Sequence, residues 1–201
     1  MTARLAPDLV ARTADANEDP SVASRRDWDV ELFRQAFRRH ASTVVLLTYF
    51  DTNNEPCGMT ATSVCSLSAS PPSLLACINR EARAFAEITK RRRFGVNLLS
   101  VAQSPIARHC SRAGLDKRLL AGWLTDSDVG GTPRLDRALA HLECRLETSL
   151  ELFSHSVLVG VVDSVWLNPE DAPPLLYHGG LYNQLESPAE RAERYHWQAG
   201  S

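Results

Sequence analysis

From Gly58 to Pro72 the chain carries no charged side chain, and its middle is a run of short hydroxyl, methyl and thiol groups. Successive side chains of a strand point to opposite faces. Extended, the stretch shows Ala61, Ser63, Cys65 and Leu67 on one side and Thr60, Thr62, Val64, Ser66 and Ser68 on the other. A half-exposed strand normally sets apolar residues against charged or long polar ones. Neither face does so here. Such a strand suits an ordinary β-sandwich. It equally suits a wall beside a large polar ligand, where hydroxyls and backbone N–H groups come within bonding distance. Pro71-Pro72 ends it, since neither can donate to a ladder.

Around this stretch the pattern is mostly that of strands. Thr43–Phe50 is β-branched and aromatic, and the turn-forming run Asp51–Pro56 makes it a hairpin partner of the hydroxyl-rich strand, with a loop longer than two residues. Further strands are predicted at Ser73–Asn79, Phe94–Leu99, His141–Leu152, His155–Leu167 and Leu175–His178. Helical spacing appears three times. Trp28, Leu32, Phe33, Ala36 and Phe37 form one set, with Asp27 or Asp29 as its cap and an end near His40-Ala41. Glu81–Arg92 is the second, and a short helix capped by Ser100 and running to about Cys110 is the third. Residues 111–140 lack a period and contain Gly114, Gly122, Gly130-Gly131 and Pro133, as functional or mobile segments do. Residues 1–27 read as a mobile tail, 28–186 as the folded domain and 187–201 as a second tail, helical around 189–197. Many strands, few helices and no β-α alternation predict a mainly β chain with peripheral helices, an antiparallel barrel or sandwich.

At 201 residues with 44% hydrophobic side chains, one core can be filled. A net charge of −2 and a pI near 6.3 give no global field for nucleic acid, and Lys90–Arg93 reads as a solvated helix end. The five cysteines show no C-x-x-C spacing, and the histidines no metal-ligand spacing, so no metal site is assigned. Cys65 and Cys77 lie in apolar runs and are expected to be buried free thiols. No apolar run reaches membrane-spanning length, which predicts no membrane partner and a cytoplasmic protein. There is no G-x-G-x-x-G and no G-x-x-x-x-G-K, so a nucleotide would not be held by a Rossmann or P-loop device.

His155 opens an apolar strand directly after Ser154, where it can reach a ligand over a barrel rim or simply face solvent. His178 is similar, beside two glycines and four residues before Tyr182. Asn79-Arg80 with Arg83 follows a strand and enters a helix, which suits either an anion site or a capped helix with solvated arginines.

In this order the pieces resemble the flavin reductase-like family of FMN-binding split barrels, the reductase components of two-component monooxygenases. The resemblance runs from about Leu32 to Leu185. It rests on Gly58-Met59-Thr60-Ala61-Thr62-Ser63 through Pro71-Pro72, on Cys77-Ile78-Asn79-Arg80 and on Phe94–Ser100. Leu142-Glu143-Cys144, His155 five residues before Gly160, and Pro174–Tyr182 complete it.

What the resemblance implies is a dimeric Greek-key split barrel binding FMN or FAD near the dimer interface, with NADH or NADPH as hydride donor. Reduced flavin would diffuse to a monooxygenase partner. Met59, Thr60, Ala61, Thr62, Ser63, Ser66 and Asn97 would hold flavin; Asn79, Arg80 and Arg83 its phosphate; His155, His178 and Tyr182 would lie near the nicotinamide. Direct hydride transfer needs no protein acid or base, so no catalytic residue is assigned. Other outcomes are a flavin-binding barrel without reductase turnover, or a flavoenzyme acting on a small organic substrate under a lid formed by 111–140. The chain departs from the family at Phe153-Ser154, where Gly-Asp is usual, and at Glu81-Ala82-Arg83-Ala84, where Ser-Ser-Arg-Thr is frequent. The first change removes an orienter of His155. The second removes hydroxyls and adds a carboxylate beside the expected phosphate. At Ser42 the family usually has glycine.

Overall fold

The strand β2 (Val45–Phe50) is almost entirely apolar because both of its faces are covered. Val45, Leu47 and Tyr49 point into the core with Leu74, Ile78, Phe94 and Leu158. Leu46, with Val44 just before the strand, points the other way, into a second cluster with Leu99, Ile106, Leu119 and Leu135. In the computed structural model the described residues are 29–112, 116–125, 131–170 and 172–185. The expected tails at 1–27 and 187–201 lie outside them.

The chain divides into two units, one ending at Phe37 and one starting at Arg38. The described part of the first is mainly the helix α1 (Val30–Arg38). Asp29 caps it, accepting the Leu32 N–H at 2.8 Å, and the rings of Phe33 and Phe37 meet at 4.8 Å.

In the second unit seven strands form one antiparallel sheet: β2, β3 (Pro56–Ala61), β4 (Val64–Ala69), β5 (Pro72–Asn79), β6 (Arg93–Leu98), β7 (Ala140–Leu152) and β8 (His155–Leu167). Their spatial order is β3-β2-β6-β7-β8-β5-β4. The hydroxyl-rich stretch is therefore two strands rather than one, and they lie at opposite edges of the sheet. Only Thr62 and Ser63 join them. Seven flat strands would span roughly 29 Å at about 4.8 Å per step. The chain from Ala61 to Val64 reaches at most about 11 Å. The sheet must curl until its edges nearly meet, which makes it a split barrel. Register shifts between Glu143 and Cys144 and between Leu146 and Thr148 bend the long β7–β8 pair toward this curvature. At Gly160 a Cβ would stand 2.7 Å from Cζ of Phe94, so the glycine makes room for that core ring.

A helix α2 (Arg83–Arg91) follows β5, and α3 (Ser104–Ser111) follows a short 3-10 turn at Val101–Gln103. Ser100 and Gln103 form a capping box there. A small second sheet joins β1 (Ser42–Thr43), β9 (Leu176–His178) and β10 (Leu181–Asn183) in the order β1-β9-β10. The predicted Thr43–Phe50 strand thus splits at Val44, whose N–H donates to Leu175 O while its carbonyl accepts the Leu99 N–H. Strand β10 carries no apolar run of its own and is set by its hairpin with β9 and by Tyr182, which packs against the second core cluster.

The described residues of 116–139, within the irregular segment, cover the outer face of β2 and β6. Leu119, Leu135 and Ala138 are buried there, and a bridge pairs Leu124 with Leu135. Leu119 N–H and Lys117 O bond Pro56 O and Gly58 N–H, shielding the start of the β3 edge. The thiols differ from expectation: Cys65 is exposed on the edge strand β4 and Cys77 is half-buried, whereas Cys57, Cys110 and Cys144 are buried. Burial pushes the Cys57 thiol up to about 11 and those of Cys110 and Cys144 to about 12.

Asn97, expected at the flavin, lies instead in the buried seam between sheet and cover. Its Nδ2 donates to Leu46 O (3.3 Å) and Thr48 Oγ1 (3.1 Å). Its Oδ1 accepts the Leu135 N–H and His141 Nδ1, each at 3.0 Å. Nδ1 of His141 therefore carries the proton, and Nε2 accepts from Thr132 Oγ1 at 3.2 Å. Burial, helped by the nearby Arg134 charge, pushes His141 down to about 4. An unfolded histidine titrates near 6.5. Between pH about 6.5 and 4 the unfolded chain binds the extra proton, so stability falls with pH across that window by about 3 kcal/mol. The urea midpoint is expected to drop between pH 7 and 4.5, and the drop to be smaller in His141→Gln by that contribution.

Candidate functional site

Past Gly58 the outer edge of β3 loses its cover, and a cavity of about 620 Å³ opens there. Met59, Thr60 and Ala61 from β3, and Thr62 and Ser63 from the link to β4, line one part of it. Strand alternation turns the backbone groups of Thr60 the same way as those of Gly58, toward the cavity. Ser63 is pinned to β5: its Oγ donates to Cys77 O at 3.0 Å, and its carbonyl accepts the Cys77 N–H at 3.1 Å. Cys77 and Asn79 of β5 join the lining, as does His155, the direct cross-strand partner of Asn79.

Ser154, at the position where the resemblance implied an aspartate, places its Oγ 2.9 Å from His155 Nδ1. That hydroxyl fixes the ring and adds no negative charge. The turn is held from the other side as well, since Arg80 N–H donates to Ser154 O at 3.0 Å and Arg80 Nη1 to Phe153 O at 3.3 Å. Phe153 sits there at φ 52° and is 96% exposed.

The remaining lining comes from the small sheet and from α3. Tyr177, Leu181 and Tyr182 contribute, with the two tyrosine rings edge to face at 5.8 Å. Gly180, at φ 84°, brings backbone to the cavity after Gly179 at φ 62°. Arg108, Ser111 and Arg112 close the list, with the Arg108 guanidinium 5.2 Å above the Tyr182 ring.

Residues 37–186, which contain every one of these elements, match the family described as flavin reductase like domain. The chain belongs to that family. It is 36% identical to an FMN reductase (NADH) of Methylorubrum extorquens strain PA1, over 83% of this chain and 82% of that one. It is 32% identical to the reductase component of 4-hydroxyphenylacetate 3-monooxygenase from Pseudomonas aeruginosa, over 79% and 96%. Among solved structures, the NADH:FAD oxidoreductase of Streptomyces globisporus C-1027, in complex with NAD and FAD fragments, superposes with a TM-score of 0.72. That match has 27% identity and covers 85% of this chain and 97% of the other.

The lining of this flavin reductase family member fits a flavin. Flat apolar contacts come from Met59, Ala61 and Leu181, and hydroxyls from Thr60, Thr62 and Ser63 can meet ring and ribityl polar groups. Of the residues expected at the site, Met59 through Ser63, Asn79, His155 and Tyr182 are brought together here. The others are not. Ser66 lies on β4 and lines a separate groove. His178 is exposed, and its carbonyl accepts Asn183 Nδ2 at 3.1 Å. Arg80 pairs with Glu151 at 2.5 Å.

Arg83 turns away to clamp the β2–β3 loop through Asp51 at 2.6 Å. The Glu55 N–H first, then the Asn53 N–H and the Arg83 charge, hold the Asp51 carboxyl below the usual carboxylate range, against its burial. Of the 111–140 segment expected as a lid, Ser111 and Arg112 line the cavity, whereas the described residues of 116–139 lie on the outer face and do not. Val44, Cys77, Arg108, Ser111, Arg112, Tyr177, Gly180 and Leu181 also line the cavity and were not expected there. The available signal was the pair of arginines at the end of the predicted helix, Arg108 within it and Arg112 just past its expected end near Cys110.

Arg83→Met is expected to lower the urea midpoint and leave flavin affinity unchanged. Asn79→Ala is expected to weaken flavin binding in a fluorescence titration, with only a small fall in midpoint from the lost Glu81 N–H bond to Asn79 Oδ1.

Proposed function

We propose that this chain is an NAD(P)H:flavin oxidoreductase that reduces FMN or FAD in the β3–β4 cavity and supplies reduced flavin to a separate monooxygenase component. The observation that carries this is the single cavity shared by the hydroxyl-bearing Thr60–Ser63 link, by His155 and by Tyr182. Bound flavin would supply a ring that accepts hydride from nicotinamide. The residues contribute placement: no acid or base is needed at the reacting atoms, and rate comes from holding two rings in contact with water excluded. Thr60, Thr62 and Ser63 would orient the flavin. His155, with its ring set by Ser154, and Tyr182, steadied by Tyr177 and Arg108, would orient the nicotinamide.

The relatives support the same reading, being named as NADH-dependent flavin reductases and as a monooxygenase reductase component. A homodimer is supported by a second, apolar groove of about 590 Å³ lined by Val64, Leu74, Val96, Leu98, Leu142 and Val162. A cytoplasmic location is supported by five free cysteines. No helix among the described residues is long and apolar enough to cross a membrane.

Anaerobic mixing of the protein with flavin and, in separate runs, NADH and NADPH is expected to bleach the oxidised-flavin absorbance near ~450 nm with at least one of them. Flavin that binds and does not bleach would reject the reductase reading. In His155→Ala, flavin affinity is expected to persist while the KM for NADH rises or kcat falls; unchanged kinetics would remove His155 from the nicotinamide site.

A further inference from the structure

We propose that Arg108 and Arg112 of the α3 end bind the flavin phosphate, in place of the turn between β5 and α2. This rests on flavin occupying the 620 Å³ cavity. Among the described residues that line it, two carry guanidinium groups and none carries a carboxylate. Neither arginine has a carboxylate within ion-pair distance among the described residues. A forked guanidinium matches two phosphate oxygens at once, and a pair of them suits a phosphate dianion or a pyrophosphate.

The turn after β5 lacks these properties. Arg80 is engaged with Glu151 and Arg83 with Asp51. Ala82 and Ala84 bring no hydroxyl, and Glu81 brings a negative charge. An anion placed there would meet repulsion and no unengaged cation.

The α3 end is built for the task. Arg108 in the last turn of the helix and Arg112, the extended residue that caps its end, both line the cavity, with Ser111 between them, and Ile106 and Cys110 are buried on the opposite side of the helix. The negative end of a helix dipole would disfavour an anion. Two of those carbonyls are taken up, Cys110 O by Lys117 Nζ at 2.8 Å and Arg108 O by Ser111 Oγ at 3.1 Å, and Lys117 Nζ also donates to Arg112 O just past the helix. Lys117 also adds a third positive charge. Stacking over Tyr182 restrains the Arg108 guanidinium before ligand arrives.

The test is equilibrium binding of riboflavin, FMN and FAD, by fluorescence, to the wild type, Arg108→Gln/Arg112→Gln, Arg108→Lys/Arg112→Lys and Glu81→Ser. The wild type is expected to prefer FMN over riboflavin, with an affinity that falls as salt rises. The double Gln variant is expected to lose roughly tenfold or more for FMN and FAD, with riboflavin unchanged and the salt dependence flattened. The double Lys variant should recover part of the loss. Unchanged riboflavin affinity shows that the variant is folded. An equal loss for riboflavin and FMN, or no loss, would overturn the proposal. So would selective tightening of FMN in Glu81→Ser, which would return the phosphate to the β5–α2 turn. Titration with NADH and NADPH forms the second arm: a loss confined to NADPH would assign the arginines to the nicotinamide dinucleotide and overturn the flavin assignment. Failure of every flavin to bind the wild type would instead remove the flavin reading itself.

Discussion

The rest of this structure depends on the shortness of one covalent connection. Thr62 and Ser63 alone span from one edge of a seven-stranded sheet to the other. Flat, those edges would be too far apart for a link of that length. Curvature is therefore imposed by the chain, and the bulges along β7 and β8 and the small residue at Gly160 are the local means by which the sheet meets it. Because β3 and β4 approach without pairing, the seam keeps unsatisfied backbone edge and a space beside it. The cavity is what the incomplete closure leaves.

The same closure explains which side chains reach the ligand. Asn79 ends β5 and His155 starts β8, distant in sequence and opposite one another in the register. Ser154 and Arg80 brace the turn that carries His155, and where the resemblance implied an aspartate the ring meets a neutral hydroxyl. The small sheet and α3 supply the remaining sides, and both are anchored on β2 and β6 through Val44, Leu99 and Leu175. Ligand contacts are thus borne by elements whose positions the core fixes, as a site relying on orientation for its chemistry requires.

Polar residues in this fold separate into those spent on structure and those left for a ligand. Asn97 and His141 satisfy each other in the seam below the cover segment, where an unpaired polar atom would be costly. Arg83 and Arg80 are spent on carboxylates. Arg108 and Arg112 face the cavity. Composition assigns all four arginines the same character; only their neighbours distinguish them.

The sequence by itself determined the strands and their β-rich class, because alternation and β-branched runs are local properties that survive without tertiary context. It also showed an uncharged stretch of short hydroxyls from Thr60 to Ser68, which suits either a ligand wall or an ordinary sandwich strand, because composition is local and pairing is not. Tertiary structure decided what depends on pairing across the chain. It broke the hydroxyl-rich stretch into two edges, paired β10 with β9, and made the described residues of 116–139 cover for the outer face. It drew Asn97 into a buried network and His178 out to solvent, because the direction of a side chain beyond its strand is set by what packs against it. It placed Arg108 and Arg112 at the seam, where the local sequence shows only a basic helix end.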